Sequence, residues 1–171
     1  MMDMGVHCID LMQYILDSKA RDVAAFHDTL SFHYEVEDSS TVLMRMENGC
    51  QCVVQSNFNV PDEAANWRIE IFGDRGRLLG YGVIGQEDGG TLDAMFLGEQ
   101  GGYVAQQDTN SAKGQTLEVE FGNAYAREIA SFSNSLLTGM PLEVPAQQAV
   151  QVQRIIEAAY RSNDEKITVT L

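Results

Sequence analysis

No stretch of this 171-residue chain stays apolar for the roughly 18–20 positions a membrane-spanning helix requires. The N-terminus also lacks the basic, apolar, small-residue order of a secretory signal. A cytoplasmic protein is expected. Cysteine is scarce: Cys8, Cys50 and Cys52 are odd in number and lack paired metal-ligand spacing, which argues against a disulfide framework or a zinc ribbon. Reduced, buried thiols are expected. Basic residues are few and scattered, 11 against 25 acids for a formal charge of −14, so nucleic acid and anionic membranes are poor partners. No low-complexity tract is present, and a hydrophobic fraction of 44% with 21% charged residues is that of a folded domain. The length suits one domain, residues 1–171, better than two.

What the chain does have begins almost at once. In Asp3-Met-Gly-Val-His7-Cys-Ile-Asp10 three ionisable side chains are spaced four and then three residues apart. At about 100° per residue, Asp3, His7, Asp10 and Tyr14 fall within about 60° of one another on a helix. Met4, Cys8, Leu11 and Ile15, extended by Ile9, Met12 and Leu16, supply a neighbouring apolar stripe. An amphipathic helix is predicted over 3–17, with Asp3 placed to cap it. By spacing alone the polar stripe is open to three readings: a solvated helix face, a zinc or manganese site, or a carboxylate–imidazole pair for proton transfer.

Strand signals follow at 22–29, then at 41–47 and 50–58 around Asn48-Gly49, which predicts a hairpin with a type I′ turn. Trp67–Phe72 alternates, turns through Gly73-Asp74-Arg75-Gly76 and returns to Tyr81, predicting a second hairpin. Further strands are expected at 91–97 and 116–121, separated by a polar, glycine-rich surface loop over 98–114. Helices are predicted over 123–138 and 146–162, divided by Gly139 and Pro141, and a strand over 167–171 ends the pattern. Ile129, Phe132, Leu136 and Leu137 make the apolar face of the first; Ala149, Val152, Ile155, Ile156 and Ala159 that of the second. The class is α+β: a mainly antiparallel, open sheet with helices packed on one face, its other face wanting a partner.

A literal G-x-G-x-x-G occurs at Gly80, Gly82 and Gly85. The fingerprint binds a dinucleotide only when a helix opens directly after it, and here acidic, turn-forming Gln86-Glu-Asp-Gly-Gly90 follows. Turn glycines are the better reading. Cys50-x-Cys52 reads as burial, and His27 and His33 as isolated structural or surface histidines.

The segment Asp3-x-Gly5-x-His7-x-x-Asp10 resembles the D-x-G-x-H-x-x-D signature that opens the second domain of the Gfo/Idh/MocA oxidoreductases. Ile69-Glu-Ile-Phe-Gly-Asp-Arg-Gly76, Tyr125-x-x-Glu128-x-x-x-Phe132, Gly139-Met-Pro141 and Ile156–Ser162 are similar to later parts of that domain. The resemblance implies the substrate-binding and oligomerisation domain of an NAD- or NADP-dependent enzyme acting on a sugar, polyol or inositol-like hydroxyl. It implies His7 as the acid/base, Asp3 as its orienting or relay partner, and Asp10 as a ligand of a substrate hydroxyl. The family's N-terminal Rossmann domain and its E-K-P lysine have no counterpart in these residues, so no cofactor is expected to bind this chain alone. The chain is expected to be inactive in isolation and to form a homo-oligomer through the open sheet face. The non-enzyme alternative is a stand-alone small-molecule binding or oligomerisation module.

Overall fold

In a computed structural model, which describes residues 1–65, 67–85, 89–97 and 113–171, the N-terminal periodicity folds as helix α1 (Met4–Leu16). It stops where Asp17 turns left-handed at φ 43° and its N–H caps the last turn onto Gln13 and Tyr14 carbonyls. Asp3 does not cap. Its φ and ψ of −93° and −78° are already helical, whereas a capping side chain needs extended backbone to reach back to the first N–H groups.

The chain divides into two compact units, Met1–Glu63 with Gly139–Leu171, and Ala64–Thr138. The α+β class holds, but the strands distribute over two four-stranded antiparallel sheets rather than one. Pro61 and a 3-10 turn at Asp62–Ala64 follow the third strand, and the next four strands then pair only among themselves.

In the first unit β1 (Ala20–Asp28), β2 (Ser39–Met46), β3 (Gln51–Asn57) and β8 (Val169–Thr170) are ordered β3-β2-β1-β8. Strict alternation buries Val23 and Ala25, Val42, Met44 and Met46, and Cys52 and Val54 on one face. α1 and the long helix α3 (Ala146–Glu165) cover that face, with Ile9, Val152, Ile155, Ile156 and Ala159 filling the core. β8 pairs only with Asp22 and Val23, which leaves the rest of the β1 edge short of partners. Side chains of α3 complete it: the Ala25 N–H donates to Ser162 Oγ at 3.0 Å and the His27 N–H to Asn163 Oδ1 at 3.1 Å.

The Asn48-Gly49 hairpin forms, but not with the expected turn. Among the described non-glycine residues only Asp17 and Lys166 have positive φ, so Asn48 lacks the left-handed geometry a type I′ turn demands; the loop closes instead through Gly49 at φ 92°. The β1–β2 connection is pinned by Asp38, whose buried carboxylate accepts the N–H groups of Leu30, Ser31 and Phe32 at 2.8–3.0 Å. Burial works against its charge, yet those N–H groups outweigh it and hold the carboxyl below its usual range.

The second unit is a meander of β4 (Arg68–Gly73), β5 (Gly76–Tyr81), β6 (Thr91–Phe96) and β7 (Lys113–Leu117), followed by α2 (Ala124–Thr138). Gly76 is required at its turn: φ is 151°, and a Cβ there would lie 2.1 Å from the Met95 carbonyl oxygen. Most of the expected 98–114 loop, and Gln86–Asp88, lie outside the described residues. α2 departs from expectation, since Ile129, Phe132, Leu136 and Leu137 are exposed and Ser135 is its only buried residue. The spacing that makes a helix amphipathic does not supply a surface for its apolar stripe to cover.

Candidate functional site

The stripe of α1 that meets the core is narrower and differently centred than the apolar pattern suggests. It runs through Gly5, Ile9 and Gln13, flanked by half-buried Val6, Cys8, Met12 and Leu16, while Ile15 is exposed. Two residues that hydropathy passes over set this centre. Gly5 lies against Met1 and Ser56 with no room for a Cβ, and Gln13 is tolerated in the core because its Oε1 accepts the Ala20 N–H at 3.4 Å.

With that stripe facing inward, the opposite side of the helix is presented outward. His7 and Asp3 are exposed, and Tyr14, one turn beyond Asp10, is exposed as well. Neither the His7 nor the Asp3 side chain hydrogen-bonds another described residue, so the expected orienting contact between them is not made here. Asp10 is half-buried and held from outside its own helix: Gln148 Nε2, in the first turn of α3, donates to Asp10 Oδ1 at 2.8 Å. The three residues thus share a helix side without converging on one point. Among the described residues no group of three or more His, Cys, Asp or Glu side chains is arranged to hold a metal ion.

The thiols offer no second chemistry. Cys52 is buried and Cys8 half-buried, and burial pushes both thiols above their usual range. Cys50, expected to be buried, is exposed because it sits in the turn just before β3 begins. Behind β1 lies a polar cluster that sequence reading missed. Tyr160 O–H donates to Glu37 Oε1 at 2.8 Å, and the His27 ring packs 5.0 Å from that of Tyr160. Burial, with the hydrogen bond and charge of Glu37, pushes the Tyr160 hydroxyl up to about 12. Burial likewise lowers His27, outweighing the Glu37 carboxylate, the Ala159 backbone and the Asp164 carboxylate. His27 is a buried core residue; His33 is exposed in the β1–β2 loop.

The glycine pattern does not build a dinucleotide cradle. Gly80 is buried within β5, Gly82 and Gly85 have φ of 66° and 134°, and no helix opens after them among the described residues. Nor, among those residues, is any helix long and apolar enough to cross a membrane.

The profile described as the GFO/IDH/MocA C-terminal domain matches residues 1–79, the part that holds Asp3, His7 and Asp10. No curated protein matches the chain by sequence. Among solved structures it is similar to aldose-aldose oxidoreductase from Caulobacter crescentus complexed with glycerol, at 20% identity and a TM-score of 0.81 over 99% of this chain and 47% of that one. It is also similar to the WlbA dehydrogenase from Bordetella pertussis in complex with NADH and UDP-GlcNAcA, at 18% identity and a TM-score of 0.70, covering 99% of this chain and 44% of that one. A third, an oxidoreductase from Agrobacterium radiobacter in complex with NAD+, L-tartaric acid and magnesium, has 17% identity and a TM-score of 0.71, with 98% and 48% covered. At these identities the likeness is one of fold, and the chain spans under half the length of each.

Proposed function

We propose, from the match of residues 1–79 to the GFO/IDH/MocA C-terminal domain profile, that the 171 residues act as one substrate-side and oligomer-forming domain of an NAD(P)-dependent oxidoreductase. The substrate class is a sugar, polyol or inositol-like molecule bearing a hydroxyl or its carbonyl. The observation that carries the reading is the exposure of His7, with Asp3 and half-buried Asp10, on the side of α1 turned away from its own core. An imidazole there is free to take a proton from a substrate hydroxyl and to return it to the carbonyl. Asp3 is the relay or orienting carboxylate, in contact with His7 once substrate is bound, and Asp10 accepts a hydrogen bond from a neighbouring hydroxyl. The dinucleotide would be supplied by a domain outside these residues, so the chain by itself should turn over nothing.

Uncovered apolar surface supports the same reading. The outer face of the first sheet carries Phe26, Leu43 and Val53 at 67, 48 and 60% exposure, with Leu43 and Val53 directly paired, and α2 carries its own exposed stripe. Such surfaces belong to interfaces. The substrate half of the proposal is tested by titrating the chain with myo-inositol, D-glucose and glycerol while following the His7 ring resonances by NMR. Movement of those signals with at least one polyol is expected; silence with all three counts against a substrate site on α1. The oligomer half is tested by sedimentation. A dimer or larger species is expected, and Leu43→Asp with Val53→Asp should weaken self-association by about tenfold or more through unpaired buried charge. A monomeric parent chain would remove the sheet face from the proposal.

A further inference from the structure

We infer that Gln148 is a positioning residue for the substrate site: it holds Asp10 so that one carboxylate oxygen is occupied and the other is left to take a substrate hydroxyl. The inference rests on the reading of Asp10 as a substrate ligand. Its geometry is independent of that reading. Gln148 lies in the first turn of α3, its Nε2 is 2.8 Å from Asp10 Oδ1, and both side chains are half-buried. The amide nitrogen must face the carboxylate, because only that end of the side chain can donate. Asp10 Oδ2 has no partner among the described residues, and of the three stripe residues Asp10 is the only one tied to a second element.

A tie of this kind does two things. It removes rotation about the Asp10 side chain before ligand arrives, so that ordering cost is not charged to binding. It also fills Oδ1 with an amide donor and leaves Oδ2 as the acceptor for which the hydroxyl of a polyol is the complementary donor. α3 is anchored by the fully buried Ile155 and Ile156, so Gln148 projects from a rigid support rather than a loop.

The test compares myo-inositol affinity of the 171-residue chain with that of Asp10→Ala and Gln148→Glu, by NMR titration at about pH 8 and about pH 5. Gln148→Glu keeps the size of the side chain and replaces the donor by a carboxylate. At about pH 8 it should weaken binding about three- to tenfold, the worth of one ordinary hydrogen bond. Near pH 5 two facing carboxyls share a proton, the introduced group donates again, and part of the affinity should return relative to the parent. A merely structural role for Gln148 would not produce that pH-dependent rescue. If Asp10→Ala weakens binding while Gln148→Glu matches the parent at both pH values, the positioning role is wrong and Asp10 stands. If Asp10→Ala binds like the parent, or the parent binds no polyol, Asp10 is not a ligand and both statements fall. Should Gln148→Glu fail to fold by circular dichroism, Gln148→Leu at about pH 8 is read against the same threefold loss.

Discussion

Joined to a cofactor domain, this chain carrying His7→Ala is expected to lose about a hundred- to ten-thousand-fold in kcat/KM for polyol oxidation, the usual contribution of a positioned acid/base. The readout is NAD(P)H formation across pH. The variant should lose that rate, with part of it restored by added imidazole. The case is clean because His7 is exposed and outside the packed stripe of α1. The substitution removes a proton acceptor without opening the core, so the melting temperature should hardly move. Turnover that survives His7→Ala with its pH profile intact would show that the proton leaves by another route.

Ile9→Ala is expected to cost about 2–5 kcal/mol of unfolding free energy, measured by urea denaturation. Ile9 is fully buried in the cluster that joins α1 to the sheet and to α3, and its removal leaves a cavity walled by elements that cannot all collapse inward. Ile15→Ala on the same helix should cost well under 1 kcal/mol, roughly the range for surface changes, since Ile15 is 40% exposed. Equal costs at the two positions would mean that α1 is not seated on its Gly5–Ile9–Gln13 side. Because α1 also carries His7, a loosened seat should reach the substrate side as a raised KM before it abolishes folding.

Local periodicity made the elements legible. Residues three and four apart on a helix, or two apart on a strand, declare their faces without knowledge of the rest of the fold. That sufficed for α1, α2 and α3, for both hairpins and for the shared side of Asp3, His7 and Asp10. What it could not supply were facts owned by distant neighbours. Gln148 and Asp10 are 138 residues apart, and a glutamine in the first turn of a helix carries no sign of the carboxylate it will meet. Gln13 hydrogen-bonds into the core from a position that hydropathy assigns to solvent. The exposed stripe of α2 shows the converse, a pattern that promises burial where the described residues leave it uncovered. Division of the strands into two sheets was equally hidden, since alternation identifies a strand but not the strand beside it.

The unit that bears His7 is discontinuous: Gly139–Leu171 returns to complete what Met1–Glu63 begins, while Ala64–Thr138 is contiguous. Within these residues the helix with the candidate acid/base is therefore made before the meander, and the helix that seats it after the meander. Each strand of the inserted meander pairs with its neighbour in sequence, so its pairings are local. The first sheet, by contrast, must wait with the future floor of its core uncovered until α3 arrives.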